Sequence, residues 1–298
     1  MHDAWRRCWR SSARRSPGGC RPQATGRSAG GVRIAQLSDI HVNDGRYEQA
    51  LIDTAVDEVN ADAPDLVVIA GDLTANGYRE EFESARERLD RLRCPEVVYV
   101  PGNHDAMSVG YLHFEDLFGP RAHRRVIDVA DTGRVQVVCV DSSKPDIDDG
   151  EVGRELYGWI ADGFSGEAEL RVFVMHHHLV AIPATGRDRN QVWDAGDLLE
   201  LLRSLRVDIV LGGHRHVPHV WPIGAMFLVH SGTASTRRVR GYAHPSYNMV
   251  TVTADLLEVE MRVPGAEREL LARFARPVGL AGQWRPVEAA RPMRGMGL

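Results

Sequence analysis

Short apolar runs recur along the chain, and most stop abruptly at glycine or at a residue able to bind a metal or move a proton. Val67-Val68-Ile69-Ala70 is uninterrupted and mostly β-branched, and Gly71-Asp72 ends it. Such a run reads as a strand buried on both faces, with Asp72 at its carboxyl end. Four more runs end the same way: 32–37 at Ser38-Asp39-Ile40-His41, 97–100 at Pro101-Gly102-Asn103-His104-Asp105, 171–175 at His176-His177-His178, and 208–211 at Gly212-Gly213-His214-Arg215-His216. A further run, 135–140, ends at Asp141-Ser142-Ser143.

Between the runs the apolar period lengthens. Leu51, Ile52, Ala55, Val56 and Val59 predict a helix over 47–60, and Phe82, Ala85, Leu89 and Leu92 predict another over 80–92. Shorter helices are expected at 111–118, 156–160 and 198–205. Strand alternating with helix is the signature of a parallel sheet, which gathers its chemistry outside the carboxyl ends of its strands. Past residue 225 the pattern changes. Residues 226–232 and 247–253 alternate like paired strands, 256–263 completes an antiparallel set, and 267–274 carries helical spacing before a tail of about twenty residues. The expectation is an α/β (α+β) domain over 32–263 followed by an extension, 264–298.

Composition sharpens the two ends. With 298 residues and 43% hydrophobic content, the chain can bury a large core. Residues 1–31 hold seven Arg and one Asp, so a basic leader precedes a body that carries −11 of the total charge of −5. Rich in Arg, Ser, Gly and Pro, the leader reads as disordered. It has no apolar core of a Sec or Tat signal, and both a transit peptide and an over-extended start fit its composition. Cys8, Cys20, Cys94 and Cys139 form no spacing pattern, the last two reading as small buried hydrophobes, so a cytoplasmic setting is the default.

The candidate ligands are Asp39, His41, Asp72, Asn103, His176, His214 and His216, drawn from five strand ends. Singly, several are ambiguous: Asp72 after Gly71 is also turn chemistry, and Asp39 is also a capping residue. Together, carboxylate oxygen and imidazole nitrogen suit manganese, iron or zinc, and the absence of thiolate ligands argues against a structural zinc. Seven ligands exceed what one ion needs and suit two ions that share a carboxylate.

The ordered series Asp-x-His, Gly-Asp, Gly-Asn-His-Asp, His and Gly-His-x-His resembles the calcineurin-like metallophosphoesterase family, over 32–263. The resemblance implies a four-layer α/β/β/α sandwich with two mixed β-sheets flanked by helices. It implies that Asp39, His41 and His216 bind one metal ion, that Asn103, His176 and His214 bind the other, and that Asp72 bridges them. The fourth block here is richer in histidine than the family's usual pattern, and His176, nearest the strand, is the chosen ligand over His177 and His178. In such a site a metal-bridging hydroxide attacks phosphorus while His104, held by Asp105, protonates the leaving oxygen.

Arg215 and His177 are the weaker candidates for contact with the substrate. Arg215 reads equally as a solvated side chain, in which case its removal barely changes turnover. The implied activity is hydrolysis of a small-molecule phosphoester, a phosphodiester ahead of a monoester. A nuclease acting on DNA or RNA ends is an alternative that the acidic body disfavours. A non-catalytic scaffold of the same fold is another, disfavoured by intact ligands in all five blocks. The loop 180–194, with Arg187, Arg189 and Trp193, reads either as functional or as a plain connection.

Overall fold

The computed structural model describes residues 31–130, 132–183, 185, 191–240, 243–266, 268–275 and 285–288. The chain begins β1 (Gly31–Leu37), α1 (Gln49–Asp62), β2 (Leu66–Ala70), α2 (Arg79–Leu89), β3 (Val97–Val100), α3 (Gly110–Phe118), β4 (His123–Val129) and β5 (Gly133–Cys139). A small hairpin, β6 (Ser143–Lys144) and β7 (Ile147–Gly150), leads to α4 (Tyr157–Gly163), β8 (Leu170–Val174), α5 (Ala195–Ser204) and β9 (Ile209–Gly212). Then follow β10 (His219–Ile223), β11 (Met226–His230), β12 (Tyr247–Thr253), β13 (Leu256–Arg262), β14 (Arg268–Ala275) and β15 (Arg285–Glu288).

Two large mixed sheets result. One runs β15-β14-β13-β12-β1-β2-β3 and the other β10-β11-β9-β8-β5-β4. β1, β2 and β3 are parallel, as are β5, β8, β9 and β11, while the remaining strands add antiparallel.

The period-two geometry of a strand sorts each apolar run between two cores. Leu66, Val68 and Ala70 of β2 face the other sheet, with Val172, Val174, Ile209, Leu211, Phe227 and Val229 opposite. Val67 and Ile69, the alternate residues, pack under Ile52, Val56 and Val59 of α1 and Phe82 of α2. In the second sheet Phe173, Val210 and Leu228 turn outward to Leu198 and Leu202 of α5 and Ile160 of α4. Three apolar layers therefore separate four layers of backbone, α/β/β/α, which is why the runs are apolar throughout rather than alternating.

Two expectations are corrected. The segment 267–274, read as helical, is strand where described: β14 takes up the free edge of β13, and Ala272 and Phe274, two residues apart, face the inter-sheet core. The Phe274 ring lies 4.7 Å from that of Phe227. Leu270 and Leu271, whose spacing to Phe274 suggested a helix, are only partly buried. Second, 226–232 and 247–253 are not partners. β11 pairs with β9 and β10 in one sheet, and β12 with β1 and β13 in the other. Cys139 is buried as expected and Cys94 half-buried; Cys8, Cys20, Arg187, Arg189 and residues 1–30 lie outside the described residues. Among the described residues no helix is long and apolar enough to cross a membrane.

Candidate active site

All seven expected ligands lie just beyond the carboxyl ends of β1, β2, β3, β8 and β9, and all are buried. Among the described residues, three groups come within ligand distance of one another: Asp39, His41 and His216; His41, Asp72 and His104; Asp72, His176 and His214. Five of the residues, Asp39, His41, Asp72, His214 and His216, have left-handed backbone, with φ between 48° and 74°. A residue in this conformation turns the chain sharply as it leaves the strand. Glycines clear the space: a Cβ on Gly213 would lie 1.8 Å from Ser38 Oγ and 2.4 Å from Asp39 Oδ2.

Backbone carbonyls decide where the imidazole protons sit. His176 Nδ1 is 2.7 Å from Ala70 O, and His104 Nδ1 is 2.7 Å from Ala75 O. His216 Nδ1 bonds Arg238 O. A carbonyl can only accept, so each Nδ1 carries the proton and each neutral ring turns a lone pair on Nε2 toward the site. His176 Nε2 then faces Asp72 Oδ2 at 3.2 Å, and His216 Nε2 faces Asp39 Oδ1 at 3.2 Å and His41 Nε2 at 2.9 Å. His41 Nε2 is also 3.6 Å from Asp72 Oδ2. Asn103 Oδ1 is 3.0 Å from His214 Nδ1, and His214 Nε2 has no protein partner. Separations of this size match the edges of a coordination shell with bonds of about 2.0–2.2 Å.

The electrostatics agree. Burial raises the pKa of the Asp39 carboxyl, but His216 and His41 beside it outweigh burial and hold it far below the usual range. Asp72 is likewise held well below its ordinary value, His176 overcoming the effect of burial. Burial also opposes charge on His176, yet the Asp72 carboxylate lifts it to about 9. These are acceptor atoms competing for a positive charge. A cation would meet the same acceptors, and the donor set of carboxylate, amide and imidazole suits manganese, iron or zinc.

The structure revises three assignments. Asp105 does not hold the His104 ring. Its carboxylate accepts Leu73 N at 3.0 Å, Gly102 N at 3.0 Å, Thr74 N at 2.9 Å and Thr74 Oγ1 at 2.8 Å, tying the Asp72 turn to the Asn103 turn. The His104 ring is held instead by Ala75 O, a backbone atom that no side-chain pattern announces. His177 has both ring nitrogens engaged, Nδ1 with Ser142 Oγ at 2.9 Å and Nε2 with Asp148 O at 3.1 Å, so the ring is a structural strut rather than a substrate contact. Burial pushes its pKa down to about 3. Arg215 is not solvated: it is 8% exposed and donates to Thr185 O, in the 180–194 loop.

Sequence reasoning also missed the polar tie beneath the site. Gln36 Nε2 donates to Gly212 O at 2.8 Å and Val229 O at 3.0 Å, and Asn248 Nδ2 donates to Gln36 Oε1 and to His230 O, each at 3.0 Å. Gln36 and Asn248 belong to one sheet, the three carbonyls to the other, so this network joins the two halves of the ligand set. A buried Gln inside the apolar run 32–37 was the available signal.

A family model for calcineurin-like phosphoesterases matches residues 32–218. Among curated proteins, a probable cyclic nucleotide phosphodiesterase of Synechococcus is 26% identical over 195 residues, covering 62% of this chain and 73% of that protein. Another, of Xenorhabdus bovienii, is 22% identical over 256 residues, covering 76% and 97%. Among solved structures, GAP50, the anchor in the inner membrane complex of Plasmodium, superposes with a TM-score of 0.64 at 11% identity, over 86% of this chain and 90% of that one, a likeness of fold alone. The family match runs from β1 through the turn that carries His214 and His216, and the chain belongs to the calcineurin-like phosphoesterases.

Proposed function

We propose that the protein hydrolyses small-molecule phosphoesters, diesters ahead of monoesters, with two metal ions. Asp39, His41 and His216 hold one ion, Asn103, His176 and His214 the other, and Asp72 is shared. The supporting observation is the meeting of Nε2 lone pairs with carboxylates at His176–Asp72 and His216–Asp39, both 3.2 Å apart. Such ions, when bound, offset charge on a phosphoryl group and generate a nucleophile from water near neutral pH.

The chain's own residues do the rest. Ala75 O fixes the His104 ring by Nδ1, so a proton carried on Nε2 faces the site and can pass to the leaving oxygen. Burial opposes charge on this ring, but Asp72 outweighs it and raises the pKa above the ordinary value, which favours the acid form. His104 N also donates to Asp72 Oδ1 at 2.9 Å, which ties the acid directly to the shared carboxylate. The preference for diesters follows the relatives named as cyclic nucleotide phosphodiesterases.

Elemental analysis of purified protein, with turnover of aryl phosphate mono- and diesters, tests the reading. Two transition-metal ions per chain and faster diester turnover are expected. Asp72→Asn should lose metal and nearly all hydrolysis; a variant that keeps both ions and full rate would remove the shared carboxylate from the mechanism.

A further inference from the structure

After β11 the chain runs Ser231-Gly232-Thr233-Ala234-Ser235-Thr236, and every one of these residues is buried. They lie alongside the Asp39–His41 turn and meet its carbonyls in succession. Ser231 Oγ donates to Gln36 O at 3.2 Å, Ala234 N to Ser38 O at 3.1 Å, Thr233 Oγ1 to Asp39 O at 2.6 Å, and Ser235 Oγ to Ile40 O. The chain bends at Ala234 and Ser235, where Thr233 Oγ1 also accepts Thr236 N at 3.1 Å, so the hydroxyls of Ser231, Thr233 and Ser235 are placed by a turn that follows the contour of the Asp39–His41 turn. The segment is anchored at both ends, by Ser231 N on Gly212 O at 2.9 Å and by Glu48 N on Ser235 O at 2.8 Å.

This matters because Asp39 and His41 both have left-handed backbone, φ 54° and 48°. Neither is glycine, so the turn needs support from outside. The orientation of the peptides after Asp39 and Ile40 sets where the Asp39 carboxylate and the His41 ring point. The hydroxyls of Thr233 and Ser235 hold those two carbonyls. No hydrogen bond of this ladder reaches the turns that carry Asn103 or His176.

We infer that Thr233 and Ser235 are positioning residues for one half of the metal site, the half made by Asp39, His41 and His216. This rests on the two-ion reading above. Removing a hydroxyl should loosen one ion and leave the other in place, whereas a merely structural role would weaken both together through stability.

The test uses the full chain as wild type, Thr233→Val, Thr233→Ser and Ser235→Ala, each stripped and titrated with manganese. Valine keeps the volume of threonine and deletes the donor; serine keeps the donor. Thr233→Val should bind one ion within about twofold of the wild-type affinity and the second roughly tenfold or more weakly, the usual size of an effect on a ligand's supporting partner. Manganese resonance should change from a spin-coupled pair to an isolated ion, and Thr233→Ser should restore the pair. If Thr233→Val does not fold, Ser235→Ala gives the same readout. Wild type that binds fewer than two ions would overturn the functional reading. Wild type that binds two, with the variants binding both unchanged or losing both in proportion, would overturn the positioning role alone.

Discussion

Gly102→Ala measures how tightly the Asp72 carboxylate, the proposed shared ligand, is confined. A Cβ at residue 102 would lie 2.2 Å from Asp72 Oδ1, 2.6 Å from Asp72 N and 2.8 Å from Asp72 Cγ. Ordinary contact begins near 3.4 Å. The two turns must therefore part by about 1 Å, a displacement that costs on the order of 100-fold when it falls on an aligned reactive group. Gly102 does not have left-handed backbone, so conformational strain adds nothing and the clash acts alone. Its N–H also bonds Asp105 Oδ2, so moving this peptide disturbs the link between the turns. Ligand atoms tolerate only about 0.2 Å. The expected result is loss of at least one ion by elemental analysis, with kcat/KM on an aryl phosphodiester down about 100-fold. Gly196→Ala in α5 is the control: its Cβ meets nothing within 4 Å, and alanine in a helix gains roughly 0.5–1 kcal/mol over glycine. Gly102→Ala with both ions and a rate within about twofold of wild type would show that the turns yield, and the confinement argued from these distances would be wrong.

His104→Ala should keep its metal and lose about 10²–10⁴-fold on esters with alkoxide leaving groups, and much less on activated aryl esters; equal losses on both, measured side by side, would count against the proton transfer. Stability of the metal-stripped protein should fall with acid. Burial holds His177 and His230 down to about 3, so the fold keeps them neutral while the unfolded chain takes up protons near 6.5. Their contribution is complete above about 6.5 and is lost progressively as pH drops toward 3. Asp105, raised from 3.8 to about 6 by burial, works in the opposite direction between those two values, and two rings outweigh one carboxyl. Denaturant midpoints across this range should fall as pH falls, and a flat or rising profile would contradict the burial of these histidines.

The layers were legible because each strand carries its instruction locally. In Val67-Val68-Ile69-Ala70 both faces are apolar, and both are covered. The candidate ligands were legible as a group because they stand at strand ends, where the fold collects them. What escaped was partnership between distant backbones. β11 and β12 both read as strands, yet the place of β11 beside β9 depends on which sheet each crossover enters, and the strand itself does not record that. The 267–274 segment has apolar residues at both helical and strand spacings, and only the open edge of β13 decides between them. Asp105 beside His104 suggested a side-chain pair, whereas a carboxylate in a tight turn is surrounded first by N–H groups. Arg215 between two histidines looked solvated because its cover comes from Thr185, thirty residues away in the chain.

The left-handed turns have a consequence for how much of this protein a cell keeps. Five of the candidate ligand residues hold a conformation that costs about 1 kcal/mol or more each, against a total stability of roughly 5–15 kcal/mol for a typical domain. Without ions the chain bears that strain uncompensated; on the proposed reading, ions bound to these residues offset it. Metal-starved cells would then hold a larger unfolded fraction of the same polypeptide, open to proteases. Supply of a transition metal would set the lifetime of the protein as well as its activity, and newly made chains would be sorted by whether they had found their ions.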